Sequence, residues 1–328
     1  MPGSNRHFQI RASKETWPIQ GTFTISRGSK SEAVVVVVEI TSEGHTGRGE
    51  AVPYARYGET AEATLAELLN LGSEISPPVA LASLVGKAAK NALDCALWDW
   101  QAKRTGIAPF VRADRTPPKP ILTCYTISLD RPEAMADAAI RVSHLPLLKL
   151  KLGRDGDAER MRAVRACRPD ARLVADANEG WSAATIAGLM DVAAECRLEL
   201  IEQPLAVDAD AILRSIPHKV PICADESAHD VASIAALVGR YDAVNVKLDK
   251  TGGLTGALAM VDAAQSANMR IMVGCMVATS LSMAPALVLS GGADWVDLDG
   301  PLLLASDRPH GLVIRNGWIE PALPALWG

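Results

Sequence analysis

From residue 121 onward the chain repeats one unit: a short apolar run that ends in charge, then, in most intervals, an alanine-rich stretch with helical spacing. The apolar runs are ILTCYTIS (121–128), LLKLKL (147–152), RLVADAN (172–178), LELIEQP (198–204), PICADES (221–227), AVNVKLD (243–249), RIMVGCM (270–276) and WVDLDG (295–300). They recur at roughly 20–30 residues, with helical segments such as AERMRAVRAC and GALAMVDAAQSA between them. Eight such runs with intervening helices predict a parallel sheet closed into a TIM-type barrel. An open doubly wound sheet is disfavoured, since no GxGxxG fingerprint follows any run.

Residues 1–115 follow another pattern. They hold the strand-like runs HFQIRAS, TFTIS, EAVVVVVEITSEG and HTGRGEAVP, then helical stretches from about Glu59 to Glu74 and from Ala88 to Arg104. Strands followed by helices predict an α+β domain over 1–115. The charged, proline-rich RADRTPPKP (Arg112–Pro120) marks the boundary, and the barrel is expected over 116–304. The tail, about 305–328, carries no further βα unit and is expected to pack back on the first domain.

Bulk properties exclude several classes. The 328 residues carry a net charge of −5 without basic runs, which argues against nucleic acid as a partner. The most apolar run, AVVVVVEI (Ala33–Ile40), is too short to cross a bilayer, and MPGSNRHFQI lacks the apolar core of a signal peptide. Six cysteines lie far apart without a CxxC pair. Structural zinc and disulfides are therefore disfavoured, and reduced thiols in the cytoplasm are expected.

The charges that end the runs are the informative residues. In a barrel they gather at the C-terminal mouth, where active sites form. Strand two carries Lys149 and Lys151, and strands three, four and five carry Asp176, Glu202 and Asp225. Strand six carries Lys247, and strand eight carries Asp297 and Asp299. Neighbouring strands place the first three carboxylates on one arc, where mutual repulsion calls either for arginine partners on nearby loops or for a cation. All-oxygen ligands suit magnesium, or manganese as the alternative. Strands two and six lie opposite one another, so lysines face each other across the mouth. Strand eight lies opposite strand four, which sets Asp297 and Asp299 across the pocket as a trap for an ammonium group. A carbon acid held between the lysines is then open to deprotonation on one face and reprotonation on the other, through an enediolate. Burial, neighbouring cations and a nearby metal are expected to lower the lysine pKa, with Lys149 acting on Lys151. Two other classes remain: a barrel with a Schiff-base lysine, which leaves the carboxylate arc unexplained, and a non-catalytic protein that only binds a metal or a small ligand.

Taken together, KLK, DANEGW (Asp176–Trp181), IEQP, ADES and VKLDKTGG (Val246–Gly253) resemble the muconate-lactonising subgroup of the enolase superfamily. A late barrel histidine would point to the mandelate-racemase subgroup, but strand seven ends in GCMVATS. The resemblance implies a capping domain on a (β/α)7β modified TIM barrel. It implies Asp176, Glu202 and Asp225 as magnesium ligands, Lys151 and Lys247 as the acid/base pair, and Lys149 as support for Lys151. DLDG on strand eight resembles the motif by which dipeptide epimerases hold a substrate's α-ammonium group. WPIQGTFTISRGSKSEA (Trp17–Ala33) is similar to the specificity loop of L-Ala-D/L-Glu epimerases, in which an arginine, here Arg27, binds the glutamate side chain. The implied substrate-binding set is Arg27, Thr126, Asp297 and Asp299. The implied activity is epimerisation of L-Ala-D/L-Glu, handling murein-derived dipeptides, and the resemblance leaves a homo-oligomer open, since many relatives form multimers. A dipeptide epimerase of other specificity, an N-succinylamino-acid racemase and o-succinylbenzoate synthase share the same barrel motifs. For Arg56 and Tyr57, in the ARYGET loop of the cap, a reading as surface residues only stays open.

Overall fold

The computed structural model describes residues 8–72 and 76–328. The opening MPGSNRH and the predicted helix end at Glu74 lie outside the described residues.

The first domain is built on a three-stranded antiparallel sheet of Gln9–Ile25, Gly28–Ser42 and His45–Ala51. QIRAS of the first run and TFTI of the second, which read as separate strands, are the two ends of the single first strand. The register breaks between Pro18 and Phe23, because proline donates no ladder hydrogen bond and so sits at irregularities. The valine run is buried on both faces: Val35 and Val37 join the barrel core, whereas Val36, Val38 and Ile40 pack under the domain's own helices. The helix Ala61–Leu69 is capped by Thr60, whose side chain accepts from the Ala63 amide. The long helix Lys87–Thr105 lies directly on the sheet. It approaches so closely that a Cβ on Gly49 would stand 2.1 Å from the Ala92 carbonyl oxygen.

The second domain is an eight-stranded parallel barrel. Its strands, one to eight, are Tyr125–Ile127, Leu147–Lys151, Arg172–Asp176, Leu198–Glu202, Ile222–Ala224, Ala243–Val246, Arg270–Gly274 and Trp295–Asp297. They pair in sequence order, and the Cys124 amide closes the ring on the Val296 carbonyl at 2.8 Å. Six of the seven connections carry an α-helix, and the one after strand four carries a 3-10 helix, Asp210–Ser215. The fold is a (β/α)7β barrel with an α+β cap.

Two details depart from the sequence reading. ILTCYTIS is two strands: Tyr125–Ile127 enters the barrel, while Ile121–Leu122 pairs with Trp318–Ile319 in a small sheet with the tail. Most of the other runs end one to three residues early: Lys151, Asp176, Glu202 and Asp297 are the last residues of their strands, and the residues after them turn into loops. The inner layer at the barrel floor takes one side chain at or beside each strand: Cys124, Leu147, Val174, Leu200, Cys223, Ala243, Met272 and Trp295. The site therefore rests on a closed apolar floor rather than over a pore.

The tail also touches the cap. Arg48 donates to the carbonyls of Ala325 and Leu326 at 2.6 and 2.9 Å, and the Trp327 indole donates to the Cys95 carbonyl at 3.0 Å. Arg308 bridges buried Glu50 and Glu15 at 2.7 and 2.6 Å. All six cysteines are free thiols. Among the described residues, no helix is long and apolar enough to cross a membrane.

Candidate active site

Strand two shows how local alternation builds the site. Leu148, Leu150 and Leu152 pack outward into the core beneath the helices, and Leu147, Lys149 and Lys151 point inward. Leu147 belongs to the floor, and the two lysines stand above it. In register, Lys151 sits beside Asp176, and Asp176 beside Glu202.

The three carboxylates of strands three to five converge as expected. Oxygens of Asp176, Glu202 and Asp225 lie within 4.8 Å of one another, and all three residues are buried. Their partners are lysines and amides rather than arginines. Asp176 Oδ2 accepts from Lys151 Nζ at 2.6 Å, and both Asp176 oxygens accept from Asn178. Glu202 Oε1 accepts from Asn245 Nδ2 at 2.7 Å. Asp225 accepts from Lys247 at 2.7 Å and from Lys250 at 2.5 Å.

Burial pushes Asp176 up, but Lys151 and Lys149 outweigh it and leave that carboxyl at about 2. Burial likewise opposes Lys247 and Lys250 at Asp225, and the lysines hold it well below the usual carboxylate range. Glu202 is raised, by burial and by Asp176. Among the protein's own groups, Lys149 and Lys247 do not show the expected lowering. Burial does lower Lys149 and Lys247, yet Asp297 and Glu202 around the first, and Asp225 and Glu202 around the second, raise both well above the ordinary value.

The aspartates of strand eight are closer to this arc than barrel order alone implied. Lys149 Nζ lies 2.5 Å from Glu202 Oε2 and 2.7 Å from Asp297 Oδ2, so a single ammonium bridges the two sides. The reason is the narrow bore of an eight-stranded barrel, in which one extended lysine spans the mouth. Asp297 Oδ1 stays buried without a hydrogen-bond partner among the described residues. Asp299 accepts from the Thr126 amide at 2.7 Å, and burial together with Asp297 pushes it up to about 7.

Above the arc lies a cavity of about 810 Å³, walled by Thr126, Lys149, Lys151, Asp176, Asp225, Lys247, Asp297 and Asp299. The cap closes it with Phe23, Arg27, Tyr54, Arg56 and Tyr57, so the two residues of ARYGET are lining groups rather than bystanders. Glu202 lies just beneath this lining. His229 packs edge-on against Tyr57 at 5.3 Å and stands outside the carboxylate cluster. Arg27 donates to Glu226 Oε1 at 2.8 Å, to the Asn178 carbonyl at 3.1 Å and to Glu179 at 3.3 Å.

Several site residues escaped the sequence reading. Asn245 was legible, since it lies two positions before Lys247 and shares its inward face. Lys250 stood in the quoted VKLDKTGG and Glu226 in ADES, but nothing local separates them from ordinary loop charges. Asn178 and Glu179 act from left-handed backbone, at φ 44° and 64°, which no spacing rule anticipates.

The donor set suits a hard divalent cation. It is all oxygen, and the buried Glu202 Oε2 has ion-pair contact with Lys149 but no hydrogen bond.

Comparison with known proteins fits this geometry. Residues 7–110 match the mandelate racemase/muconate lactonizing enzyme N-terminal domain, and residues 133–324 match the enolase C-terminal domain-like family. The chain belongs to the enolase superfamily, in its mandelate racemase/muconate lactonizing branch. It is 40% identical over 314 residues to the L-Ala-D/L-Glu epimerase of Escherichia coli K12, covering 94% of this chain and 98% of that one. It is 38% identical to the N-acetyl-D-glutamate racemase of a Pseudoalteromonas species, covering 90% of this chain and 95% of that one. An enolase family member from Agrobacterium tumefaciens with homology to dipeptide epimerases, solved with sodium and L-Ala-L-Glu, superimposes with a TM-score of 0.94 at 46% identity. The match covers 98% of this chain and 100% of that one.

Proposed function

We propose that this protein epimerises L-Ala-D/L-Glu by moving the α-proton of the C-terminal residue from one face to the other, with magnesium held by Asp176, Glu202 and Asp225. The chain is an isomerase of the racemase and epimerase kind. The observation that carries the reading is the placement of Lys151 and Lys247, each on a different carboxylate of the arc and both lining one cavity. Binding alone needs neither lysine, whereas a two-base proton transfer needs both.

Asp297 Oδ1 is the acceptor left for a substrate ammonium group, and Thr126 orients Asp299 beside it. Arg27, at the cap side, receives the side-chain carboxylate. Lys151 takes or returns the proton on one face and Lys247 on the other. A bound magnesium ion would neutralise the charge that builds on the substrate carboxylate as the proton leaves, and would offset the carboxylate charge that holds Lys247 high. The relatives from Escherichia coli and Agrobacterium tumefaciens support a dipeptide with a glutamate side chain. That substrate fits a role in the cytoplasmic handling of murein-derived peptides, consistent with the free thiols.

A second reading has one observation in its favour. Lys149 already occupies Asp297 Oδ2, so part of the proposed ammonium trap is taken, as would suit an N-acylated glutamate like that of the Pseudoalteromonas relative. The test is incorporation of deuterium at the glutamate α-carbon in deuterated buffer with magnesium, comparing L-Ala-L-Glu with N-acetylglutamate. Exchange of the dipeptide at the higher kcat/KM supports the first reading. Exchange of the N-acetyl compound alone supports the second, and exchange of neither sinks both.

A further inference from the structure

We propose that Glu179 is a positioning residue that fastens the cap over the cavity and holds Arg27 in its working place. The inference rests on the dipeptide reading for its kinetic test only. Its geometry stands apart from the chemistry, because the Glu179 carboxylate does not line the cavity.

That one carboxylate gathers donors from three separate loops. Arg27 reaches it at 3.3 Å from the first cap loop, and Arg56 reaches it through Nε at 3.2 Å and Nη2 at 3.0 Å from the second. The Val207 amide, from the loop after strand four, donates to Oε1 at 3.2 Å. The Glu179 side chain is 11% exposed, against 30% for Arg27 and 41% for Arg56. The acid is therefore fixed to the barrel while the two cations arrive from the cap.

Its backbone is shaped for this task. Asn178 and Glu179 both sit in left-handed conformation, which costs a non-glycine residue free energy and persists only when surroundings hold it. The Glu179 amide donates to the Gln203 carbonyl at 2.8 Å. The turn lies hard against the end of strand two: a Cβ on Gly153, at φ +106°, would stand 2.3 Å from the Ala177 carbonyl oxygen and 2.9 Å from Ser26 Cβ. Ser26 Oγ in turn donates to the Asn178 carbonyl at 3.0 Å. The cap loop thus sits on a barrel turn that begins two residues after Asp176. Arg27 is released from the barrel side only when Glu179, Glu226 and the Asn178 carbonyl all let go.

The test uses the full-length protein and the variants Glu179→Gln, Arg56→Gln and their combination. Glu179→Gln keeps the side chain's size and loses its charge. Two readouts are needed: backbone hydrogen exchange over residues 22–30 and 52–58 without substrate, and steady-state kinetics on L-Ala-L-Glu. The expected result is faster exchange in both loops in Glu179→Gln, with KM raised about tenfold and kcat within about threefold. Arg56→Gln should reproduce the faster exchange, and the double variant should be no worse than Glu179→Gln alone, since both remove one interaction. Unchanged exchange in both loops, additive effects, or a collapse of kcat at constant KM would overturn the proposal. The exchange readout needs no turnover, so failure of the latch and failure of the proposed activity are separable.

Discussion

At the scale of single residues, the site is a set of buried charges that satisfy one another. Lys149 shows the principle. It is almost fully enclosed and remains a cation because Glu202, Asp297 and Asp176 surround it. Removing one partner of such a group leaves an uncompensated charge, so its replacement should cost stability as well as activity. Lys151 and Lys247 are more open to the cavity, with side chains 9% and 7% exposed against 2% for Lys149. Lys151→Ala and Lys247→Ala are expected to lower epimerisation by at least about 10³-fold. Each variant should still exchange the α-proton of one stereoisomer, read by mass spectrometry on L-Ala-L-Glu and L-Ala-D-Glu separately. Loss of exchange for both stereoisomers in both variants would argue against a two-base division of labour. Asp297→Asn should raise KM for the dipeptide by about 10–100-fold and leave an N-acylated glutamate less affected, because only the dipeptide carries an ammonium group.

At the scale of elements, strands and helices are set by local pattern and their junctions by contacts between loops. The alternation in LLKLKL survives intact in the structure, including the inward Leu147 that the lysines stand on. Strand one does not survive as read. Nothing within ILTCYTIS tells a strand that serves one sheet from a strand shared by two, and the tail hairpin made that choice by pairing with Ile121–Leu122. Gly153 belongs to such a junction, and Gly153→Ala should destabilise the fold by about 2–4 kcal/mol in denaturant titration, through strain at positive φ and the clash with Ala177. Another junction carries a pH dependence. His218 Nδ1 pairs with Asp242 at 2.7 Å and Nε2 meets the Leu213 carbonyl at 2.9 Å, joining the 3-10 helix to the start of strand six. The hydrogen bond to Asp242 raises His218 above its ordinary 6.5, whereas Asp242, burial notwithstanding, is drawn below its ordinary value by His218. The folded state therefore binds the histidine proton more tightly than the unfolded chain does. Its contribution is complete below 6.5 and fades as pH rises through the raised folded value. The aspartate's share fades only as pH falls through its depressed value. The stability difference between wild type and His218→Ala should accordingly be largest in mildly acidic buffer and shrink toward pH 8, and a difference independent of pH would contradict this account.

At the scale of the whole molecule, the cap and barrel depend on one another through buried polar contacts. Asp249, two residues after Lys247, accepts from the Val52 amide at 2.9 Å and from Asn91 at 2.8 Å, both in the cap. Glu50 and Arg308 tie cap to tail in the same way. The carboxylate arc adds a term of its own, since a cation that binds the folded arc and not the unfolded chain must stabilise the fold. Magnesium at a hundredfold its Kd should add about 2.7 kcal/mol, seen as a rise in Tm that a chelator reverses. Glu202→Gln should lose most of that rise, and a rise of full size in this variant would place the cation elsewhere.

The amino-acid sequence was enough for the barrel, its eight strands in order, the arc of three carboxylates and the gathering of Lys151 and Lys247 at one cavity. Those features follow from local rules: alternation at a period of two, helical spacing, and charge at the ends of apolar runs. It was not enough for the partnerships. Lys149 meets Asp297 across 148 positions of sequence, and Arg27 meets Glu226 across 199. Such contacts exist only once the ring has closed and the loops have taken their turns, with Asn178 and Glu179 in left-handed backbone. Which buried charge neutralises which is therefore a property of the assembled fold.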